Sequence, residues 1–400
     1  MNTIECKENG EGLGMRKGLV AWVLALILVT TAVAWGEAPF EVKAPSAVLM
    51  EASGGLVLLS QEPDQVRPPA SITKLMTMLL TMEALEKGQL KFTDKIAVSE
   101  YAASMGGSQV WLEPGERLTL HDMLKAIAVV SANDASVAVA EHLSGSVEAF
   151  VKKMNQRAKQ LGMKNTYFCN PNGLPPSEGE RGCETTAMDV AILSRELLKH
   201  PKILEYTSIW MGNLDARPEP ALVNTNKLVH FYEGCDGLKT GYTSQSGYCL
   251  AATAKKDSLR LIAVVMGAES TKVRNAEITK LFNYGFSQLI SQKVVKQGQK
   301  VGKAKVVGGI LEEVDLFAAE DLVAVQKRDS QARVTLHLSV NKDLKAPLKK
   351  GQRLGSVTAR SEGGELGKVA LVAGEDLERA GFFTLVGRFF RNLFRSFFGG

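Results

Sequence analysis

Two residues that could act as a nucleophile and its base lie one helical turn apart near the start of the chain. Ser71 and Lys74 are three residues apart, so a helix would place both side chains on one face. A serine hydroxyl needs an adjacent base, and a lysine is that base only as a neutral amine. Lowering the pKa of a lysine from about 10.4 to about 7 takes roughly 4–5 kcal/mol, which burial and a nearby cation can supply.

The residues after Ser71 predict a helix that is buried on nearly every face. As far as Glu86, the apolar side chains are interrupted only by Ser, Thr, Lys and Glu, and a helix that is apolar all round lies inside a protein. Pro68 and Pro69 fix the chain before the first turn, and the pair 87–88, Lys-Gly, ends the helix. Because a buried lysine is unfavourable without a function, we interpret this pair as catalytic.

Two further motifs strengthen that interpretation, because the S-x-x-K spacing alone also arises by chance. The spacing recurs at 339–342, where alternating residues predict a strand that points Ser339 and Lys342 to opposite faces. A second motif, S-x-N at 131–133, falls at a break between two predicted helices, and a third, K-T-G at 239–241, lies on a strand-like run. Taken alone, the S-x-N motif could be a helix cap and the K-T-G motif a polar strand end. Together with S-x-x-K, the two motifs indicate one site.

The order of predicted elements indicates an α/β (α+β) sandwich with an antiparallel sheet. Strand-like runs come first, a block of helices is inserted, and three strands and a helix then complete the domain. From about residue 292 short alternating runs replace the helices, which predicts a small all-β domain. The predicted regions are a signal peptide at 1–36, a catalytic domain at 37–291, a β-rich domain at 292–379 and an amphipathic helix at 380–400.

The amino end is typical of an export signal. Arg16 and Lys17 precede an unbroken apolar run over 18–34, and small residues suit cleavage before Glu37. The alternative is an uncleaved anchor helix, and translation could start at Met1 or at Met15. Both alternatives place the body of the protein outside the cytoplasm.

The carboxyl end predicts a helix that lies in a membrane interface. Seven of the fifteen phenylalanines fall between 382 and 398, and arginines 388, 391 and 395 fall on the opposite helical face. Such an amphipathic terminus suits the outer face of the cytoplasmic membrane. The alternative is a helix docked on its own domain.

Composition excludes several other functions. A net charge of +5 over 400 residues is too small to indicate nucleic-acid binding. Histidine is scarce and no C-x-x-C occurs, so neither a metal site nor any other cofactor is predicted. Once the signal is removed, Cys169, Cys183, Cys235 and Cys249 remain and allow three pairings. Cys169 and Cys183 bracket a Pro/Gly-rich loop and are the easiest pair to imagine, although free thiols are also possible.

The three motifs resemble those of the serine penicillin-binding enzymes, which share them with class A β-lactamases. The resemblance is closest to the low-molecular-mass D-alanyl-D-alanine carboxypeptidases of peptidase family S11. It is strong over residues 40–290, and the β domain and the tail match that family's layout less specifically. The stretches that carry it are 69–77, 131–136, 224–228, 236–243 and 261–268.

The resemblance implies a serine β-lactamase/penicillin-binding fold and roles for the residues that do the chemistry. Ser71 would attack the carbonyl between two D-alanines of a peptidoglycan stem peptide and form an acyl-enzyme. Lys74 would be its base. Ser131 would relay a proton to the leaving amine, and Asn133 would hold the substrate amide.

The same resemblance assigns the third motif to substrate binding. Lys239 would lower the pKa of Lys74 and attract the terminal carboxylate, which Thr240 would hydrogen-bond. Beyond Gly241, the backbone N–H of Tyr242 would complete an oxyanion hole with that of Ser71. A β-lactam antibiotic, which mimics D-Ala-D-Ala, would stall as an acyl-enzyme.

Two departures and several alternatives remain at this point. Ala132 stands where many relatives have Gly, and Tyr242 stands where some have His. None of the glutamates at 178, 180 and 184 has the pattern of the deacylating glutamate of class A β-lactamases. A β-lactamase and a non-catalytic penicillin-binding sensor or scaffold are the alternatives. A Ser-His-Asp hydrolase is disfavoured because the chain lacks a G-x-S-x-G motif.

Overall fold

In this computed structural model, residues 37–400 form one compact unit. The structure describes residues 40–388 except 218, 331, 362, 363 and 385. The predicted signal peptide, and the part of the predicted tail after residue 388, lie outside the described residues.

The first domain is built around a five-stranded antiparallel sheet with strand order β2-β1-β9-β8-β7. Its first two strands precede the helical block and its last three follow it, as the sequence predicts. The strands of this sheet are β1 (Ser46–Glu51), β2 (Val57–Gln61), β7 (Cys235–Thr243), β8 (Gly247–Lys256) and β9 (Leu259–Ala268).

In its described residues, the inserted block supplies eight α-helices and two short antiparallel strand pairs. A 3-10 turn at Ala70–Thr73 runs directly into α1, which confirms the buried helix predicted from Ser71 to Glu86. The block contains α1 (Lys74–Glu86), β3 (Lys95–Ala97), α2 (Glu100–Ala103), β4 (Arg117–Thr119), α3 (Leu120–Val129), α4 (Asn133–Ser144), α5 (Val147–Leu161), α6 (Ala187–Leu197), α7 (Leu204–Thr207), β5 (Met211–Gly212), β6 (Leu222–Val223) and α8 (Leu228–Phe231).

Both faces of the sheet are covered, which explains why its central strand is apolar at nearly every position. Along β9, Ile262 and Val264 pack with the helical block, whereas Ala263 and Val265 face a second core. That second core is closed by α9 (Thr271–Gln288), whose Phe282 is fully buried. Successive side chains of a strand point to opposite faces, so burial on both faces removes the polar alternation.

The second domain is all β and shares a strand pair with the first. Its five-stranded antiparallel sheet has the order β11-β12-β16-β15-β14, and β10 pairs with β13. The strands are β10 (Leu289–Val295), β11 (Lys300–Lys305), β12 (Glu313–Ala318), β13 (Leu322–Lys327), β14 (Thr335–Val340), β15 (Arg353–Ser361) and β16 (Gly364–Ala373). The predicted boundary at 291 falls within β10.

Strand β13 faces the cores of both domains. Leu322 and Ala324 belong to the β-domain core, whereas Val323 and Val325 pack in the core under α9. The alternation follows from the two-residue period of a strand. The two domains therefore share an apolar joint.

Within the described residues, no helix is both long and apolar enough to cross a membrane. The short elements β3 to β6, α2, α7 and α8 were not predicted, because two- to four-residue elements carry too few residues to show a period.

Replacing Gly367 with alanine should destabilise the β domain. A Cβ at this position of β16 would lie 2.2 Å from the carbonyl oxygen of Val323 in β13. The strand backbones must move apart to accept it, at a loss of about 1–3 kcal/mol of unfolding free energy. Urea unfolding would measure the loss. Gly381→Ala is the matched control, because a Cβ there meets open space, and equal stability of the two variants would contradict the close contact.

Candidate active site

The structure brings Ser71 and Lys74 together at the start of the buried helix. The Nζ atom of Lys74 lies 3.0 Å from the Oγ of Ser71. Lys74 is fully buried, and Ser71 sits in the 3-10 turn that precedes α1. The hydroxyl and the amine are thus in hydrogen-bond contact, as proton transfer requires.

Two amide oxygens determine which way the Lys74 amine can point. Its Nζ donates to Asn133 Oδ1 at 2.6 Å and to the backbone oxygen of Asn172 at 2.8 Å. Both oxygens only accept, so they take the two hydrogens of a neutral amine. The remaining lone pair then faces Ser71. Asn172 was not predicted, and its contact is through the backbone.

Burial lowers the pKa of Lys74 well below its ordinary value, and the charge of Lys239 lowers it further. Asp134 acts in the opposite direction and is the smallest of the three influences. The two causes that lower the pKa of Lys74, burial and a second cation, are those that the sequence analysis requires for a neutral lysine base.

The second motif sits where α3 gives way to α4. Ser131 is buried with φ of 67°, a left-handed conformation that is uncommon for serine and that clusters at functional sites. Asn133 contacts the Lys74 amine through Oδ1, while its Nδ2 donates to the backbone oxygen of Gly106 at 2.7 Å. The carboxylate of Asp134 accepts from the backbone N–H groups of Val110 and Leu112, which fixes the segment around Gly106.

A disulfide-closed loop carries the Asn172 oxygen to the site. Cys169 and Cys183 are bonded, whereas Cys235 and Cys249 are unpaired and buried. Inside the loop, Asn170 Oδ1 accepts from the backbone N–H of Gly173 at 2.6 Å. This cyclic arrangement makes a tight turn whose apex faces Lys74.

The apex of this loop is pressed against the 3-10 turn. A Cβ on Gly173, which has φ of 82°, would lie 1.8 Å from the carbonyl oxygen of Ala70. The Oγ1 of Thr77 in α1 also donates to the carbonyl oxygen of Pro171 at 2.6 Å. Only glycine fits at 173, both for space and for backbone conformation.

The third motif runs along β7 beside the same turn. A Cβ on Gly241 would lie 2.9 Å from the carbonyl oxygen of Pro69, so glycine lets the strand pass close to Ser71. Thr240 Oγ1 donates to Thr225 Oγ1 at 2.7 Å, and Tyr242 is exposed and stacked on Tyr248. Residues from each of the three motifs therefore lie close together around Ser71 and Lys74.

Two buried cations lie behind the third motif. The Nζ of Lys239 donates to the carbonyl oxygen of Thr240 at 3.0 Å, and burial with the nearby charge of Arg274 lowers the pKa of Lys239 to about 7. Arg274 is itself buried, which lowers its pKa to about 10. In the described part of the chain, neither cation is paired with a carboxylate. Such a pair is unfavourable until an anion binds beside it.

Arg274 was missed by the reasoning from sequence, although one signal pointed to it. It occupies the first turn of α9, where the helix dipole disfavours a cation. A buried arginine in that position indicates a specific task.

Two cavities flank the disulfide loop. The larger, of about 1180 Å³, is lined by residues of α5 and of the loop, including Cys169 and Asn172. The smaller, of about 320 Å³, is lined by Arg67, Pro69, Cys183 and Thr243. The loop is the wall between them, so its position shapes both.

The loop glutamates do not reach the nucleophile. Glu178 and Glu180 are exposed, and Glu184 forms an ion pair with Arg181 at 2.6 Å. This arrangement supports the expectation that none of them activates a deacylating water.

Comparison with known families gives two matches that together cover most of the chain. Residues 32–270 match a family described as D-alanyl-D-alanine carboxypeptidase, peptidase S11. Residues 291–379 match the family described as the C-terminal domain of penicillin-binding protein 5.

Individual proteins agree with these family matches. The D-alanyl-D-alanine carboxypeptidase DacF of Bacillus subtilis is 46% identical over 349 residues, which are 86% of this chain and 89% of that protein. Penicillin-binding protein 5 from Haemophilus influenzae superposes with a TM-score of 0.65 at 32% identity, covering 86% of this chain and all of that one. Penicillin-binding protein D2 from Listeria monocytogenes, in an ampicillin-bound form, has a TM-score of 0.57 and 32% identity, over 62% of this chain and all of that one.

Opening the disulfide should slow the acylation of Ser71. The double variant Cys169→Ser/Cys183→Ser frees the loop that holds the Asn172 oxygen on Lys74, and we expect a loss of about tenfold or more, as for other misplaced catalytic groups. Water admitted beside Lys74 reduces its desolvation and raises its pKa, so the acidic limb of the pH–rate profile should move to higher pH. Stopped-flow acylation by a fluorescent penicillin across pH would measure both effects.

The matched control for this experiment is chemical reduction. A phosphine reductant should slow the parent protein and leave the double variant unchanged, because Cys235 and Cys249 are already thiols. Parent-like rates and an unmoved pH profile in the double variant would contradict the role of the loop.

Proposed function

Because the chain belongs to the D-alanyl-D-alanine carboxypeptidase family, peptidase family S11, we propose that it removes the terminal D-alanine from peptidoglycan stem pentapeptides. The observation that carries this proposal is the Ser71–Lys74 contact of 3.0 Å beside two buried, unpaired cations. The Ser71–Lys74 pair would supply a nucleophile, and the two cations would select a substrate that ends in a carboxylate.

The first half of the reaction forms an acyl-enzyme. The Oγ of Ser71 attacks the carbonyl carbon of the penultimate D-alanine, and its proton passes to the neutral amine of Lys74. The oxygen of the tetrahedral intermediate becomes an anion and is held by the backbone N–H groups of Ser71 and Tyr242. Each such donor contributes about 3–4 kcal/mol of transition-state stabilisation.

The intermediate collapses when the C–N bond to the last residue breaks. Ser131 relays the proton from Lys74 to the leaving amine, and free D-alanine departs. Asn133 has two tasks in this scheme, since it holds the Lys74 amine as well as the substrate amide. Water then attacks the ester, Ser71 regains its proton, and the shortened peptide leaves.

The terminal carboxylate explains why the enzyme would act at chain ends. Lys239 and Arg274 are buried cations that would gain a counterion when this carboxylate binds. The hydroxyl of Thr240, which donates to Thr225 without a ligand, would turn its hydrogen to the carboxylate. A β-lactam carries a carboxylate and a reactive amide in similar positions, so it would acylate Ser71. The ampicillin-bound relative supports this expectation.

The proposed setting is the outer face of the cytoplasmic membrane. The apolar run at 18–34 would direct export, and the amphipathic segment from residue 380 would hold the enzyme at the lipid surface. Stem peptides lie on that side of the membrane. The β-lactamase alternative gains no support, since Glu178 and Glu180 are exposed and Glu184 is paired with Arg181.

The decisive assay is release of D-alanine from a pentapeptide that ends in D-Ala-D-Ala. We expect release by the parent protein and none by Ser71→Ala, which keeps the fold and removes the nucleophile. No release from a folded parent protein would contradict the proposal. A stable penicillin adduct in that case would favour a sensor, whereas rapid penicillin hydrolysis would favour a β-lactamase.

A second prediction tests recognition of the carboxylate. Amidation of the substrate's terminal carboxylate should lower kcat/KM by about 10- to 100-fold, as expected for loss of charge-assisted hydrogen bonds. In Arg274→Gln the preference for the acid over the amide should shrink.

The same preference should depend on pH. It should fall as pH rises through about 7, because free Lys239 loses its proton there. Lys272→Gln, at an exposed position of α9, is the control and should keep the parent preference. An unchanged preference in Arg274→Gln would rule out its contact with the carboxylate.

A further inference from the structure

Five exposed apolar side chains stand at one end of the β domain. Val307, Ile310 and Leu311 belong to the turn between β11 and β12, and Phe382 and Phe383 lie near the end of the described chain. Each of the five is between 49% and 88% exposed. We refer to these five residues as the apolar tip.

Backbone hydrogen bonds place the turn beside the residues that lead to the phenylalanines. The N–H of Ala380 donates to the carbonyl oxygen of Gly308, and the N–H of Ile310 donates to that of Glu378, both at 2.9 Å. Phe382 follows Ala380 by two residues. The turn and the phenylalanines therefore belong to one surface.

Arg388 brings the following residues back to the same turn. Its guanidinium donates to the carbonyl oxygen of Gly309 at 2.6 Å and also to that of Ile310. The same side chain forms an ion pair with Glu312 at 3.1 Å. The segment after Phe383 is thus held against the turn by a residue that also neutralises the adjacent acid.

Several backbone polar groups of the turn are paired within the protein, which lowers the cost of entering lipid. The N–H of Val307 donates to the carbonyl oxygen of Leu344 at 2.8 Å, and its own carbonyl oxygen accepts from Ala346 at 3.0 Å. The carbonyl oxygens of residues 308–310 accept the bonds from Ala380 and Arg388. The apolar side chains can then leave water without leaving these groups unpaired.

We propose that the apolar tip is a second membrane contact, in which Val307, Ile310 and Leu311 enter the lipid interface beside the C-terminal segment. A membrane is favoured because the chain continues from Arg388 into residues 389–400, which are rich in Phe and Arg. Lys345, paired with Val307, is exposed and adds a cation that suits anionic headgroups. The proposal rests on the membrane attachment proposed above and adds to it a site on the folded domain.

Vesicle binding tests the proposal directly. Residues 37–400, which form their own compact unit, would be sedimented with vesicles of phosphatidylglycerol and phosphatidylcholine. Ile310→Ser/Leu311→Ser should lower the partition coefficient about tenfold or more, because two apolar side chains no longer leave water. The control is Met211→Ser/Phe231→Ser, which removes two apolar side chains that are 58% and 71% exposed on the catalytic domain.

The outcomes separate the two proposals. Binding by the parent protein together with parent-like binding by Ile310→Ser/Leu311→Ser would overturn the role of the tip and leave the C-terminal attachment standing. No binding by the parent protein would overturn both. An equal loss in the control variant would overturn the specificity of the tip.

A fluorescent label distinguishes insertion from an indirect effect on folding. Leu311→Cys offers one reactive thiol, since Cys235 and Cys249 are buried and the other two cysteines are bonded. An environment-sensitive dye there should shift to the blue on adding vesicles and be quenched by brominated lipid, whereas a dye at Met211→Cys should not. A blue-shifted dye at 311 without vesicles would mean that the protein's own tail covers the tip, which would overturn the proposal.

Discussion

The site depends on one buried amine whose pKa is lowered well below its ordinary value, mainly by that burial. Lys74 is fully buried, and two amide oxygens and one hydroxyl surround its nitrogen. An ammonium ion in this place would be poorly solvated, whereas a neutral amine is satisfied by the same three contacts. The elements around it each supply one part: α1 carries the lysine, α4 carries Asn133, and the disulfide loop brings the oxygen of Asn172.

Two other buried basic side chains differ from Lys74 in what surrounds them. Lys239 and Arg274 are also buried, but their neighbours leave them short of a counterion. Lys74 has three hydrogen-bond partners without a ligand, whereas Lys239 and Arg274 each have a neutral partner but no carboxylate among the described residues. In the proposed reaction, reactivity and recognition are therefore separated, with the base on the helical side and the anion site on the side of the sheet.

Much of this arrangement follows from the sequence, because it rests on periodicity and on short motifs. The helix after Ser71 and the three final strands of the sheet showed clear apolar patterns, and both were confirmed. The contact of Asn172 could not be predicted, because a backbone oxygen is the same in every residue and only the fold decides where it points. Arg274 lies outside every motif, and the pairing of Cys169 with Cys183 was one of three possibilities. The Asn172 contact, the position of Arg274 and the disulfide pairing all depend on tertiary structure, which brings together residues that are far apart in the sequence.

The alternation along β13 has a mechanical consequence. Since Val323 and Val325 are packed under the catalytic sheet while Leu322 and Ala324 are packed in the β domain, bending between the domains would pull apolar side chains into water. The β domain is therefore held rigidly against the catalytic domain, in contrast to a domain joined by a flexible linker. Its longest strand has ten residues, or about 33 Å at 3.3 Å per residue. With the carboxyl end on the membrane, as proposed above, such a domain would hold the active site at a fixed distance from the lipid surface, and the dimensions of the domain would decide which layer of the wall the enzyme reaches.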